Sequence, residues 1–159
     1  MRFIMLTVLL DMMAVGLIIP VLPALIGQFV PDKSAHAFWN GAAMATFGLA
    51  NFICSPILGA LSDRFGRRPV LLIGFCGFAL SFFGTAMANS LWMLLAVRLA
   101  SGALQSNIAV ANAYVADITA AEDRAKRFGM LGAMIGLGFI VGPVVGGLLG
   151  ERHVAWPFF

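Results

Sequence analysis

The stretch Gly59-Ala-Leu-Ser-Asp63-Arg-Phe-Gly66-Arg67-Arg68-Pro-Val-Leu71 is the most charged connection in a strongly apolar chain. Apolar runs flank it on both sides, each long enough to cross a bilayer core, which takes about 20 residues. Gly66 suits a tight turn, Gly59 would let another helix approach closely, and Asp63 suits a helix N-cap. The stretch therefore predicts two membrane spans joined by a short basic loop. A loop whose charges serve only to orient the chain is the simpler alternative.

The overall composition supports a membrane protein. Of 159 residues, 61% are hydrophobic and 11% are charged, whereas soluble domains have about 25% charged residues. The mean hydropathy is +0.97. These values exclude a soluble globular domain. The net charge of +3 comes from basic residues grouped in the polar connections, so it does not indicate nucleic-acid binding.

The apolar runs predict five spans and the start of a sixth, and the basic residues predict their orientation. The spans are 3–29, 38–61, 70–88, 91–118 and 127–150, and the sixth begins near Pro157. Short cytoplasmic loops are enriched in Lys and Arg. With the N-terminus in the cytoplasm, only Lys33 and Arg152 lie outside, against seven basic residues inside. The seven are Arg2, Arg64, Arg67, Arg68, Arg124, Lys126 and Arg127.

An internal repeat appears when the chain is shifted by 87 positions against itself. The matched pairs include prolines and glycines, which carry more weight than chance identities among apolar residues. The pairs are Phe52 with Phe139, Ile53 with Ile140, Pro56 with Pro143, Gly59 with Gly146, and Leu61 with Leu148. Because a shift of three spans reverses direction across the membrane, this pattern predicts two inverted three-helix repeats.

Asp11 and Arg98 are the full charges that lie clearly inside the predicted spans, away from their ends, and the 87-residue shift places them opposite each other. A charge inside a membrane is costly and is a functional hypothesis by default. We expect both to line one central cavity, where Asp11 exchanges a proton and Arg98 holds that carboxylate or an anionic part of a substrate. Asn51, Gln105 and Asn107 are candidates for the same pathway. A buried structural ion pair is the alternative.

The stretch 59–71 resembles the signature loop between spans 2 and 3 of the major facilitator superfamily. Residues 10–23, 116–119, 138–147 and 157–159 are similar to tetracycline/proton antiporters and their multidrug relatives. The resemblance covers the N-terminal half of such proteins. It implies an all-α integral membrane fold, namely the N-terminal six-helix bundle, here with five spans and the start of the sixth.

The resemblance also assigns two groups of residues. Asp117 would pair with an arginine of the loop to lock an inner gate, although a solvated acid at a helix end is the simpler interpretation. The gating residues are Gly59, Asp63, Gly66, Arg67, Arg68 and Asp117. The residues similar to an antiporter signature are Gly138, Gly142, Pro143, Gly146 and Gly147. Without the resemblance, glycines at every fourth position predict only close helix packing.

The resemblance implies proton-coupled efflux of drugs or other small organic molecules by a multi-pass protein of a bacterial-type inner membrane. The proton gradient would drive it without a cofactor, and a C-terminal six-span half or a partner chain would complete it. Ser81 and the stretch 104–107 differ from the tetracycline members, so tetracycline itself is not implied. A sugar or metabolite transporter on the same fold and a non-transporting fragment or assembly subunit remain alternatives.

Other chemistry has little support in the sequence. His36 and His153 are isolated, and Cys54 and Cys76 lack the spacing of metal ligands or of a disulfide framework. No set of Ser, His and Asp converges on a nucleophile, and Gly136-Leu-Gly138 lacks the preceding strand of a dinucleotide site. We therefore predict neither an enzyme nor a metal site.

Overall fold

A computed structural model describes residues 2–105 and 107–150, and the described part is helical. Five stretches are long and apolar enough to cross a membrane, which confirms the predicted number of spans. The start of the sixth span and His153 lie outside the described residues. The helices are α1 (Arg2–Phe29), α2 (Lys33–Phe65), α3 (Arg67–Ala86), α4 (Leu91–Leu104), α5 (Asn107–Ile118) and α6 (Arg124–Gly150), with a short 3₁₀ helix at Ala121–Asp123.

Several helices extend beyond the apolar runs that predicted them. α2 starts at Lys33 instead of residue 38, because the Asp32 side chain caps it by accepting from the backbone N–H of Ser34 at 2.9 Å. The side chain and backbone of Ser34 together hold the pKa of Asp32 below its usual value. The hydropathy pattern marks only the part of a helix that crosses the bilayer, whereas the helical hydrogen bonds continue into the polar residues on either side.

The loop at 62–69 is shorter than predicted. α2 continues to Phe65 and α3 begins at Arg67, so Gly66 alone separates them, with a φ of 95° that favours glycine. The predicted role of Asp63 as an N-cap is wrong. Asp63 lies in the last turn of α2, and Gly66 precedes α3 without a side-chain cap.

The fourth predicted span is divided. α4 ends at Leu104, and Gln105 has a non-helical ψ of 79° before α5 begins at Asn107. The Asn51 side chain of α2 donates a hydrogen bond to the Gln105 carbonyl. This contact satisfies a carbonyl group at a helix end inside the apolar part of the span, where lipid offers no hydrogen-bond donor.

The helices pack in two extensive pairs, α1 with α6 and α2 with α4. A three-span shift carries α1 to the fourth span and α2 to the fifth, so it exchanges these two pairs. The packing therefore agrees with the inverted repeat. Two apolar clusters lie along α1. Leu22 and Ile26 pack with Leu94 near its C-terminal end, and Val8 packs with Val115 near its N-terminal end.

Glycines of α6 allow the backbone of α1 to approach closely. A Cβ atom built on Gly138 would lie 2.7 Å from the Leu9 carbonyl oxygen, and one on Gly146 would lie 2.6 Å from the Leu17 carbonyl oxygen. A Cβ atom on Gly142 would overlap the Met13 carbonyl oxygen. The predicted close packing by these three glycines is confirmed.

Gly59, which the 87-residue shift pairs with Gly146, makes no close helix contact within the described residues. A Cβ atom on Gly59 would meet nothing within 4 Å among the described residues, so the predicted close approach of another helix at Gly59 is wrong there. In the α2–α4 pair, Gly102 makes the tight contact instead, against the Phe47 backbone. The two pairs correspond by symmetry, but they place their close contacts at different positions.

The α1–α6 contact generates a stability prediction. Gly142→Ala should destabilise the folded bundle by about 1–3 kcal/mol, because the added methyl group overpacks against the α1 backbone. Gly147→Ala is the matched control, since a Cβ atom there would meet nothing within 4 Å of the described structure. Thermal unfolding in detergent measures both. Equal melting temperatures for the two variants would contradict the packing account.

Candidate functional site

A cavity of about 540 Å³ lies between α1, α2, α5 and α6, near the break in the fourth span. Asp11 borders the cavity, although the residue is only 1% exposed overall. The other polar residues of the wall are Asn51, Ser55, Gln105 and Asn112. The apolar residues of the wall are Met12, Val15, Phe47, Ile108, Ala109 and Phe139.

The contact between α1 and α6 places Asp11 at this cavity. Gly138 lies against Leu9 and Met12, which are close to Asp11 on α1. Phe139, the next residue of α6, forms part of the cavity wall. A larger residue at position 138 would force α1 away from α6 and move the carboxylate relative to Phe139.

The break in the fourth span supplies the cavity with a hydrogen-bond acceptor. Gln105 is 7% exposed, and within the described residues its Oε1 atom has no hydrogen-bond partner. A buried polar atom without a partner costs free energy unless a ligand or water satisfies it. Three predicted pathway residues, Asp11, Asn51 and Gln105, therefore meet at one cavity. The Asn107 side chain lies outside the described part.

Arg98 lies elsewhere, so the prediction that Asp11 and Arg98 line one cavity is wrong. Arg98 is 4% exposed and faces α3, where its Nη2 atom is 3.4 Å from the Thr85 hydroxyl. That hydroxyl donates to the Ser81 carbonyl at 2.7 Å, which leaves its oxygen to accept from Arg98. Thr85 is in the last turn of α3, where the helix dipole stabilises a cation.

A cluster of polar side chains, the Arg67 group, joins the ends of three helices and comprises Arg67, Ser62, Asp63 and Asp117. The Arg67 guanidinium lies 2.5 Å from the Asp63 carboxylate and 3.0 Å from the Asp117 carboxylate. It also donates to the Ser62 hydroxyl at 2.6 Å. Ser62 and Asp63 belong to α2 and Asp117 to α5, so Arg67 at the start of α3 ties the two helices together. The structure brings together the pair that the resemblance implied.

Arg68, the neighbouring arginine, makes a different contact. Arg68 donates from Nε to the Tyr114 hydroxyl at 3.3 Å, away from the Arg67 group. Arg124 lies within 3.4 Å of the Thr119 and Ala116 carbonyl oxygens at the end of α5. Among the loop residues, Gly66 makes the turn, and Gly59 lines an open groove with Pro56.

Some residues of these groups had no signal in the sequence. Ser62 lies in the stretch 59–71 but had no predicted role there, and Tyr114 belongs to no pattern. Their contacts depend on how helices distant in sequence are rotated. Asn112 and Ser55 had a weak signal, because polar side chains are unusual within apolar runs. The cavity shows why these two positions are polar.

Comparison with known proteins identifies the family. The family model described as Major Facilitator Superfamily matches residues 4–159. The chain belongs to this superfamily. Among curated proteins, it is 46% identical over 152 residues to the class C tetracycline resistance protein of Escherichia coli and 47% identical to the class B protein. It is 36% identical to multidrug resistance protein 1 of Bacillus subtilis.

The superfamily comparison extends to a solved structure. The crystal structure of the human organic anion transporter MFSD10 (TETRAN) matches 98% of this chain with a TM-score of 0.83 at 28% identity. This chain covers 42% of that structure. The alignment with the class C relative includes 96% of this chain and 38% of the relative, and the alignment with the class B relative includes 95% and 37%. The alignment with the Bacillus subtilis relative includes 92% of this chain and 37% of the relative. The resemblance to major facilitator transporters is confirmed.

The Arg67 group generates a prediction for the complete transporter. Asp63→Asn should lower the transport rate at least about tenfold, because it weakens the junction of α2, α3 and α5. Binding of a probe such as ethidium should change less than about twofold, since Asp63 does not line the cavity. Arg64→Leu is the control, because the Arg64 guanidinium contacts the Phe65 ring instead. A large loss of binding with normal transport would contradict this assignment.

Proposed function

We propose that this chain is the N-terminal bundle of a proton-coupled exporter of drugs or other small organic molecules. The single observation that carries the proposal is a buried carboxylate, Asp11, on the wall of a largely apolar cavity inside the membrane region. Carboxylates at such depth mark proton and substrate pathways in membrane proteins. The tetracycline and multidrug resistance relatives support an export function.

In this proposal Asp11 couples protons to substrate, because both reach the one carboxylate that borders the cavity. Binding of a proton neutralises Asp11 and removes the cost of a buried charge. A substrate that interacts better with the ionised carboxylate then favours release of that proton. One site thus exchanges a proton for a substrate molecule.

The cavity wall favours neutral or cationic substrates over anionic ones. In the described residues, Asp11 is its charged group, and Arg98 lies outside it. Met12, Val15 and Phe139 offer apolar contact area. The Asn51 and Asn112 side-chain amides and the Gln105 Oε1 atom offer hydrogen bonds. A mainly apolar wall with few polar groups suits a drug better than a sugar.

The Arg67 group serves as the inner gate in this proposal. Secondary transporters of this type expose their site alternately by rocking one bundle against the other. Movement at the inner side must separate the ends of α2, α3 and α5, which Arg67, Asp63 and Asp117 hold together. The excess of basic residues in the connections at 62–69 and 119–127 supports a cytoplasmic position for this group and for the N-terminus.

A second bundle completes the transporter, either as a C-terminal six-span half or as a partner chain. The chain spans about 38% of the length of its class C relative, and a single bundle supplies only one wall of a substrate path. α2 presents a wide apolar surface, with Phe52 79% exposed and Ile53 61% exposed. We assign the assembled protein to a bacterial-type inner membrane, with no cofactor.

Replacing the cavity carboxylate tests the proposal. In the complete transporter reconstituted in proteoliposomes, Asp11→Asn should abolish ethidium accumulation driven by a pH gradient, because the amide cannot exchange a proton. Downhill ethidium exchange should continue. Asp32→Asn is the control, since Asp32 lies between spans and caps α2. If Asp11→Asn still accumulates ethidium at the wild-type rate, Asp11 is structural and the proposal fails.

A further inference from the structure

Gln105 presents a buried hydrogen-bond acceptor to the cavity that Asp11 borders. The residue is 7% exposed, and its Oε1 atom has no hydrogen-bond partner in the part of the chain that the structure describes. The neighbouring Ser101 hydroxyl does not serve this atom, because it donates to the Arg98 carbonyl at 3.0 Å. The acceptor is therefore available to a molecule that enters the cavity.

Two contacts with α2 fix the position of Gln105. A Cβ atom on Gly102 would overlap the Phe47 carbonyl oxygen, so α4 lies directly against the α2 backbone at that point. One turn further along α2, the Asn51 side chain donates to the Gln105 backbone carbonyl. Phe47 and Asn51 both line the cavity as well. The end of α4 is thus held at two points, and Gln105 belongs to a fixed part of the cavity wall.

The wall continues from Gln105 along one face of α5. Ile108, Ala109 and Asn112 line the cavity, at three, four and seven positions after Gln105. These spacings place residues on the same face of a helix. The wall therefore has an acceptor at Gln105 and an amide at Asn112, with an apolar surface between them.

A substrate must replace the water that can satisfy Gln105. A molecule that fills a cavity of about 540 Å³ displaces water from the cavity wall. Affinity is lost when the ligand cannot reproduce the hydrogen bonds of a displaced ordered water, and a buried acceptor without a donor costs free energy. A substrate with an N–H or O–H group avoids this cost, whereas a substrate without one leaves Oε1 unsatisfied.

Asp11 and Gln105 set two separate conditions on the same molecule. An ionised carboxylate at Asp11 favours a positive charge on the substrate. The neutral Oε1 atom of Gln105 favours a hydrogen-bond donor, whether or not that donor carries the charge. Apolar wall residues such as Phe139 favour an aromatic ring system between the two polar groups.

We propose that Gln105 is a specificity-determining residue, whose Oε1 atom accepts a hydrogen bond from the transported molecule. The cavity thereby selects organic cations that carry an N–H or O–H donor over cations of the same shape that lack one. Amino-substituted aromatic cations are the substrate class that meets both conditions. This inference rests on the proposed function, because it places the substrate in the Asp11 cavity.

Two ligands that differ in their donors test this assignment. Ethidium is an aromatic cation with amino groups, and its analogue without amino groups keeps the ring system and the charge. Isothermal titration calorimetry on the complete transporter in detergent gives both values of Kd. The donor preference is the Kd of the analogue divided by the Kd of ethidium. It should fall at least about fivefold in Gln105→Met, because a thioether of similar length is only a weak acceptor.

Three further variants separate loss of the acceptor from a general disturbance. Gln105→Ala also removes the acceptor and should lower the donor preference equally. Gln105→Glu keeps a side-chain acceptor and should retain the preference. Gln28→Met makes the same chemical change at an exposed position of α1 outside the cavity wall, so it should have no effect. The Kd of the analogue should change less than about twofold in Gln105→Met, since the analogue has no donor to lose there.

The outcomes distinguish this inference from the proposed function. An unchanged donor preference in Gln105→Met and Gln105→Ala, or an equal loss in Gln28→Met, would overturn the role of Gln105. If Asp11→Asn still abolishes gradient-driven ethidium accumulation in that case, the proposed function stands without this inference. If the wild-type transporter binds neither ligand, the proposed function and the inference fail together.

Discussion

The close contact between the backbones of α1 and α6 determines where the buried carboxylate lies. Gly138, Gly142 and Gly146 leave no side chain between the helices, so α1 is held at short distance along three successive turns. Asp11 lies beside this contact and borders the cavity. Because the membrane interior offers no water, a carboxylate in a span must border a cavity or a partner. The helix contact and the position of the charge are therefore parts of one arrangement.

The bundle accommodates its charges in three different ways. Asp11 borders a cavity, and Arg98 is buried against a hydroxyl near the C-terminal end of α3. Arg67 lies between two carboxylates at the helix ends, where water is available. These environments suit different tasks. A group at a cavity can exchange protons, a sealed cation is held in place, and a cluster at helix ends can form and break as helices move.

The sequence predicted the spans well because their signal is local. A run of about 20 apolar residues is sufficient evidence of a span, and no distant contact is needed. The helix ends were predicted less well, because a hydropathy pattern carries no information on capping by Asp32 or on the single-residue turn at Gly66. The break at Gln105 depends on a hydrogen bond from Asn51, a residue of another helix.

The site was predictable in its residue types and less so in its geometry. Asp11, Asn51 and Gln105 were recognised as polar residues within apolar runs, and the cavity brings them together. The position of Arg98 was not predictable, because the rotation of a helix depends on its neighbours. The repeat had a similar limit. Gly59 and Gly146 correspond in sequence, yet only Gly146 meets another helix within the described residues.

Protection of a cavity residue by a transported probe is the most direct test that the Asp11 cavity is the binding site. In the complete transporter without native cysteines, Asn112→Cys places a thiol on the cavity wall. Ethidium should slow its modification by a water-soluble methanethiosulfonate at least about threefold. The rate for Ile118→Cys, near the end of the same helix and outside the cavity, should not change. Equal modification rates at position 112 with and without ethidium would contradict the account.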